Sequence, residues 1–234
     1  MPTVLLVRHG RTGANRDGVL AGRSPGVGLD ETGQTQARTL ALRLAGMPLA
    51  AVVTSPLQRC LETVREVLRS RDGAVHQVDD RLVECEYGDW TGRSLKELAR
   101  DPLWKVVQAH PSAVRFPGGE SLRAVQARAV EAVRDHDTRV ARTAGPDVPW
   151  VVVSHADVIK AVLADALGLH LDQFQRLVVD PCSVSVVRYT EVRPFVLRLN
   201  DTGGDLADLR PPARRRRRRI PPGDAAVGGG AGTA

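Results

Sequence analysis

Apolar positions along the chain switch repeatedly between two periods. Val4 to Val7 is an unbroken apolar run, too short for a helix, and reads as a strand buried on both faces. Ala50 to Thr54 and Trp150 to Val153 read the same way. Between them, Ala37, Leu40, Ala41 and Leu44 recur at helical spacing and predict a helix over 33–45, with Thr32 as its N-cap and Gly46 as its stop. Ser55-Pro56 reads as an N-cap followed by proline at the first helical position, opening a helix over 56–68. Val75 to Val78 predicts a short strand, and Leu95 to Arg100 a short helix ended by Pro102. Ser121 caps a long helix over 122–142, with Val125, Ala129, Ala132, Val133 and Val140 on one side. A further helix spans 156–167 and stops at Gly168. Val184–Tyr189 and Phe195–Leu199 close the pattern as a hairpin. Strands alternating with helices predict an α/β protein: a three-layer α/β/α sandwich around a mostly parallel sheet.

Composition changes this picture at one end only. Hydrophobic residues make up 42% of the 234 residues and aromatics 3%, so valine, leucine and alanine fill the core. No apolar run is long enough to span a bilayer, and no basic region precedes an apolar stretch at the N-terminus, so neither a membrane partner nor a secretory signal is expected. Cys60, Cys85 and Cys182 are an odd set without metal-type spacing, which argues against a disulfide framework, against a zinc site and for a reducing cytoplasm. Past Asp201 the periodicity stops and Pro, Gly, Ala and Arg dominate. The expected organisation is a folded domain over 1–200 and a disordered tail over 201–234. The net charge of +6 belongs to that tail. Seven of the 33 basic residues lie from Arg210 onward with one acid, Asp224, and the remaining 26 bases and 26 acids cancel. The run Arg214–Arg219 is the one feature suited to nucleic acid or an acidic surface. Nucleic acid is not an expected partner of the domain, and removing 210–234 is expected to leave thermal stability and turnover nearly unchanged.

The chemistry sits where strands end. Val7 runs into Arg8-His9-Gly10, Arg59 falls in the first turn after the Ala50–Thr54 strand, and Val153 runs into Ser154-His155. Parallel strands share one carboxyl edge, where α/β sheets bind ligands, so these residues converge there. A guanidinium fork matches phosphate oxygens, and a neutral imidazole is a competent nucleophile. The glycine-rich loop 13–28 brings Asn15 close to that edge.

The motifs in order are Arg8-His9-Gly10 with Asn15; Thr54-Ser55-Pro56-Leu57-Gln58-Arg59; Glu84-Cys85-Glu86-Tyr87-Gly88-Asp89-Trp90-Thr91-Gly92; Pro117-Gly118-Gly119-Glu120-Ser121; and Ser154-His155-Ala156. Together, over about Thr3 to Leu199, the chain resembles the histidine phosphatase superfamily, in the branch that includes cofactor-dependent phosphoglycerate mutases. The resemblance implies phosphoryl transfer through a phosphohistidine on His9, without metal or cofactor. Arg8, Arg59, His155 and Asn15 would bind the phosphoryl oxygens, and Glu84 would be the general acid, with Glu86 its rival. Arg11 stands where the family often has an acid, which would make the pocket mouth more basic, and Ala156 replaces a glycine, which would narrow it. The implied substrate is a small phosphate monoester. The short segment between Gly92 and Pro117 leans toward hydrolysis, with a phosphomutase as the alternative reaction and binding through the arginine-rich tail as the alternative of another class. The segment 96–115 and the loop 13–28 are expected to line the outer pocket. His76, His110, His136 and His170 are read as incidental, and homo-oligomerisation is left open.

Overall fold

The structure is a computed structural model that describes residues 2–69, 71, 76–145, 147–204 and 227–230. Six strands form one sheet: β1 (Thr3–Arg8), β2 (Val52–Thr54), β3 (Gln77–Val78), β4 (Pro149–Ser154), β5 (Val184–Tyr189) and β6 (Pro194–Asp201). Their order is β3-β2-β4-β1-β5-β6. The four strands from β3 to β1 run parallel, and β5 and β6 add an antiparallel edge. The helices are α1 (Gly13–Asp17), α2 (Glu31–Leu44), α3 (Gln58–Leu68), α4 (Leu95–Leu98), α5 (Pro102–Ala109), α6 (Leu122–Ala144) and α7 (Ala156–Ala166).

Alternation along the two central strands divides the core. Val4 and Leu6 of β1, with Trp150 and Val152 of β4, pack on the face covered by α6 and α7. Leu5, Val7, Val151 and Val153 face the opposite way, against α2 and α3. Both faces of these strands are buried, which explains why their sequence is continuously apolar rather than alternating. The three-layer α/β arrangement expected from the pattern is therefore present. β1 and β4 also lie in parallel register with Arg8 opposite Ser154, so both strands deliver their next residues to one edge.

Five local expectations fail for identifiable reasons. The N-cap of α2 is Asp30, not Thr32. Asp30 accepts from the Gly33 N–H, while Thr32 accepts from the Arg11 guanidinium. Helix α3 starts at Gln58, with Leu57 at the N-cap position, rather than at Pro56; the Ser55 hydroxyl accepts the Leu57 N–H and also meets His155, the residue just past β4. Pro102 does not end structure but begins α5, with Asp101 as N-cap and proline at the first helical position. The loop 13–28 contains α1, nucleated by a reciprocal capping box between Thr12 and Asn15. His136 is buried, with its ring nitrogen 2.9 Å from Asp79 and its ring tilted on Trp150, so it is a core residue.

The disordered tail expected from 201 onward does not describe two parts of the chain. Asp201 closes β6, and Val227–Gly230 is packed against the domain, with Val227 buried. Residues 205–226, including the arginine run, and 231–234 lie outside the described residues. Val227 supplies the apolar anchor that offsets the entropy of ordering a glycine-rich stretch.

The turn after His9 depends on a close backbone crossing. A Cβ on Gly33 would lie 2.0 Å from the Arg11 carbonyl oxygen, so only glycine lets α2 approach the strand end. Gly33→Ala is expected to cost about 2–3 kcal/mol, as overpacking does, read as a lower urea midpoint at unchanged slope. A stability equal to the parent's would show that the helix has room to shift.

Candidate active site

The carboxyl edge of β1, β2 and β4 gathers Arg8, His9, Arg59, Glu84 and His155, all buried. His9 follows β1 directly, and its backbone N–H donates to the Ser154 carbonyl at 3.0 Å. Its Nδ1 lies 2.7 Å from the Gly10 carbonyl oxygen. A carbonyl only accepts, so Nδ1 carries the hydrogen and Nε2 keeps its lone pair. Arg59 Nε donates toward that Nε2 at 3.3 Å, and Arg59 Nη2 donates to the Gly22 carbonyl at 2.8 Å. Burial, then the neighbouring charges of Arg59 and Arg8, hold His9 well below its ordinary pKa, so the ring is neutral.

His155 is the residue before α7. Its ring centroid is 5.2 Å from that of His9. Its Nε2 lies 2.8 Å from Ser55 Oγ. That oxygen also accepts the Leu57 N–H, and a Ser55 hydroxyl proton directed at Nε2 puts the ring proton on Nδ1. Burial, with Arg59 and His9 adding to it, keeps His155 neutral as well.

Glu84 lies 4.0 Å from His155 Nδ1 and accepts the Cys85 N–H at 2.9 Å. Burial, reinforced by the Asp157 carboxylate and opposed by Arg59 and Arg8, raises its pKa from 4.5 to about 7. Glu86 is half-exposed and pairs with Arg23 at 3.4 Å, outside the cavity that His9 and Glu84 share. Asn15 borders that cavity. Its Oδ1 is occupied by the Thr12 N–H and hydroxyl, so the group it offers is its amide NH2.

The Arg8 guanidinium is buried and lowered to about 10 by desolvation, against the pull of Glu84 and Asp180. It donates to the Val179 carbonyl at 2.8 Å and to the carbonyls of Gly229 at 2.7 Å and Gly230 at 2.5 Å. Three donors of this cluster have no partner among the described residues: Arg8 Nε, Arg59 Nη1 and His155 Nδ1. Buried donors left unpaired are costly, and a tetrahedral oxyanion is the chemical group that satisfies several at once.

Other expectations change. Arg11 does not make the mouth basic, because it is paired with Asp30 at 2.8 Å and spent on Thr32. Residues 96–115 contribute nothing to the cavity wall, whereas Leu95 and the loop residues 14–22 do. The residues missed are Ser55, as the partner that orients His155, and Asp157. Asp157 is buried, accepts the Tyr87 hydroxyl at 2.7 Å and helps raise Glu84. The signal for it was available: an acid on α7, where nearly every other position is buried.

The family model of the histidine phosphatase superfamily (branch 1) matches residues 4–202. The chain belongs to that superfamily. Similar relatives include phosphoserine phosphatase 1 of Hydrogenobacter thermophilus, 31% identical over 86% of this chain and 93% of its own length. A bifunctional protein of Mycobacterium tuberculosis is 36% identical over 86% of this chain, and the match spans 54% of that longer protein. Glucosyl-3-phosphoglycerate phosphatases and probable phosphoglycerate mutases match too. Among solved histidine phosphatase folds, a mycobacterial glucosyl-3-phosphoglycerate phosphatase in complex with VO3 superposes with a TM-score of 0.76 at 28% identity, covering 85% of this chain and 98% of the other. No helix among the described residues is long and apolar enough to cross a membrane.

The raised pKa of Glu84 has a thermodynamic signature. The folded state holds an extra proton between 4.5 and about 7, so stability falls as pH rises through that window. Glu84→Gln removes the term. The variant should gain on the parent by up to about 3 kcal/mol between pH 5 and pH 8, measured by thermal melts at both pH values. A difference independent of pH would place the carboxyl in water.

Proposed function

We propose that this histidine phosphatase superfamily member hydrolyses a small phosphate monoester through a phosphohistidine on His9, without a metal ion. The observation that carries the reading is the set of unpartnered donors on Arg8, Arg59 and His155 beside a neutral His9 whose unprotonated Nε2 faces Arg59.

His9 Nε2 attacks phosphorus in line with the leaving oxygen. Arg8, Arg59, His155 Nδ1–H and the Asn15 amide hold the phosphoryl oxygens and neutralise their charge, which is most of what phosphoryl transfer demands. Glu84, protonated below about 7, gives its proton to the leaving oxygen. The resulting carboxylate then takes a proton from the water that attacks phosphohistidine, returning both residues to their starting forms. Ser55 holds the His155 tautomer that donates. What favours Glu84 over Glu86 as the acid is that Glu84 borders the cavity with His9 while Glu86 is held outside it by Arg23.

Phosphomutase chemistry uses the same residues and differs in the acceptor. Supporting hydrolysis, no residue of α5 lines the cavity beside His9; its Trp104 is stacked on Trp90 instead. Three buried free thiols suit a reducing cytoplasm.

His9→Ala is expected to lose at least about 10³-fold in turnover, and acid-labile phosphate trapped on the parent from a phosphate ester in EDTA should vanish with it. Parental turnover in the variant, or none in the parent under EDTA alone, overturns the mechanism. Glu84→Gln should cost alkyl phosphates far more than aryl phosphates, whose leaving groups need no proton. Equal losses on both ester classes would remove Glu84 from the role of acid.

A further inference from the structure

We propose that Val227–Gly230 is an intramolecular plug that competes with substrate for the phosphate pocket; this rests on the pocket being the phosphate site argued above. The segment lies beyond residue 202, where the family match ends. It is seated at both ends. Val227 is 1% exposed and packs into the core beside the start of α7. The Gly228 N–H donates to Asp157 at 3.2 Å, and the carbonyls of Gly229 and Gly230 take the two terminal nitrogens of Arg8. Three consecutive glycines hold positive φ, at +72°, +77° and +54°. At Gly229 even a methyl is excluded: a Cβ would lie 2.1 Å from the Ala156 Cβ and 3.0 Å from Arg8 Nη1. The path is thus shaped for glycine alone, at the position where backbone touches the guanidinium.

The space that remains shows the effect. With the segment in place, the cavity bounded by His9, Arg59, Glu84 and Gly228 holds about 30 Å³, room for a water or two but not for a phosphoryl group with its alcohol. Substrate therefore enters only when the segment leaves. Carbonyl oxygens carry partial charge, and a phosphoryl dianion carries full charge, so the guanidinium exchanges the first for the second at a gain. The apparent affinity for any phosphate is reduced by the fraction of molecules whose pocket is open. Ala156, in place of a smaller glycine, is what the segment packs against; the narrowing expected there is thus realised against the chain's own terminus.

The test uses the full chain and two substitutions away from the reacting groups. Gly229→Val places a β-branched side chain at φ +77° against Ala156. Val227→Asp removes the apolar anchor. Calorimetric titration with inorganic phosphate and with orthovanadate reads the pocket without turnover, and KM for a small aryl phosphate reads it with turnover. Both variants should bind either anion at least about 10-fold more tightly than the parent, with KM lowered by a similar factor and kcat changed less. A synthetic peptide of residues 222–234 should raise KM of the variants again, competitively with phosphate. Tighter anion binding without hydrolysis of any ester would uphold the plug and overturn the proposed reaction. Unchanged affinity and KM in both variants overturns the plug. So does a joint fall in affinity and kcat, which would make the segment a working part of the site, and so does a failure of every form to bind either anion.

Discussion

The hydrogen bond from His9 Nδ1 to the carbonyl of the very next residue, Gly10, is the interaction on which the site depends. It fixes which nitrogen of the ring keeps its lone pair, and it is available only because the chain turns immediately after β1. That turn requires Gly33 to pass against the Arg11 carbonyl. The turn lies at the edge where β1 and β4 run in register, and the same register sets His155 beside His9. Helix packing, strand pairing and tautomer are therefore one constraint seen at three scales.

Around this bond the charges are balanced by burial rather than by ion pairs. Two guanidinium groups, two neutral imidazoles and a carboxyl raised to about 7 share one buried space. Desolvation keeps the imidazoles uncharged and leaves the carboxyl substantially protonated up to about 7, which preserves a nucleophile and an acid in the same cavity. The cationic excess remains on Arg8 and Arg59. The structure meets part of it with backbone carbonyls, from Val179 and Gly229 on Arg8 and from Gly22 on Arg59. These neutral acceptors tolerate an arriving anion where a carboxylate would repel it.

Much of this was legible in the sequence. Continuous apolar runs announced doubly buried strands, and the charged residues at their ends marked the edge that now holds Arg8, His9 and His155. The signals that misled were ambiguous in one dimension. Ser55-Pro56 spells a helix start, yet the Ser55 hydroxyl is taken by a ring 100 residues away, which no local pattern encodes. Thr32 and Asp30 are both good caps two positions apart, and the choice was made by Arg11, which occupies Thr32 and pairs with Asp30. Pro102 is a stop or a start depending on whether the residue before it caps, and Asp101 does. Composition averaged over 201–234 concealed a single valine followed by three glycines, because a mean cannot show one anchored turn.

The cysteines carry a last consequence. Cys60 lies 3.5 Å from His155 Nε2 and a few residues from the reacting centre, where a thiolate would be an obvious rival nucleophile and an obvious target for peroxide. Burial instead pushes its thiol, and that of Cys182, up to about 12 and drives Cys85 higher than its ordinary value as well. A thiol so far above neutral exposes almost no thiolate to oxidants or alkylating reagents. Beside the reacting groups, Cys60 therefore stays a thiol that meets the Ser154 carbonyl and the His155 ring, and the chemistry is left to nitrogen and oxygen.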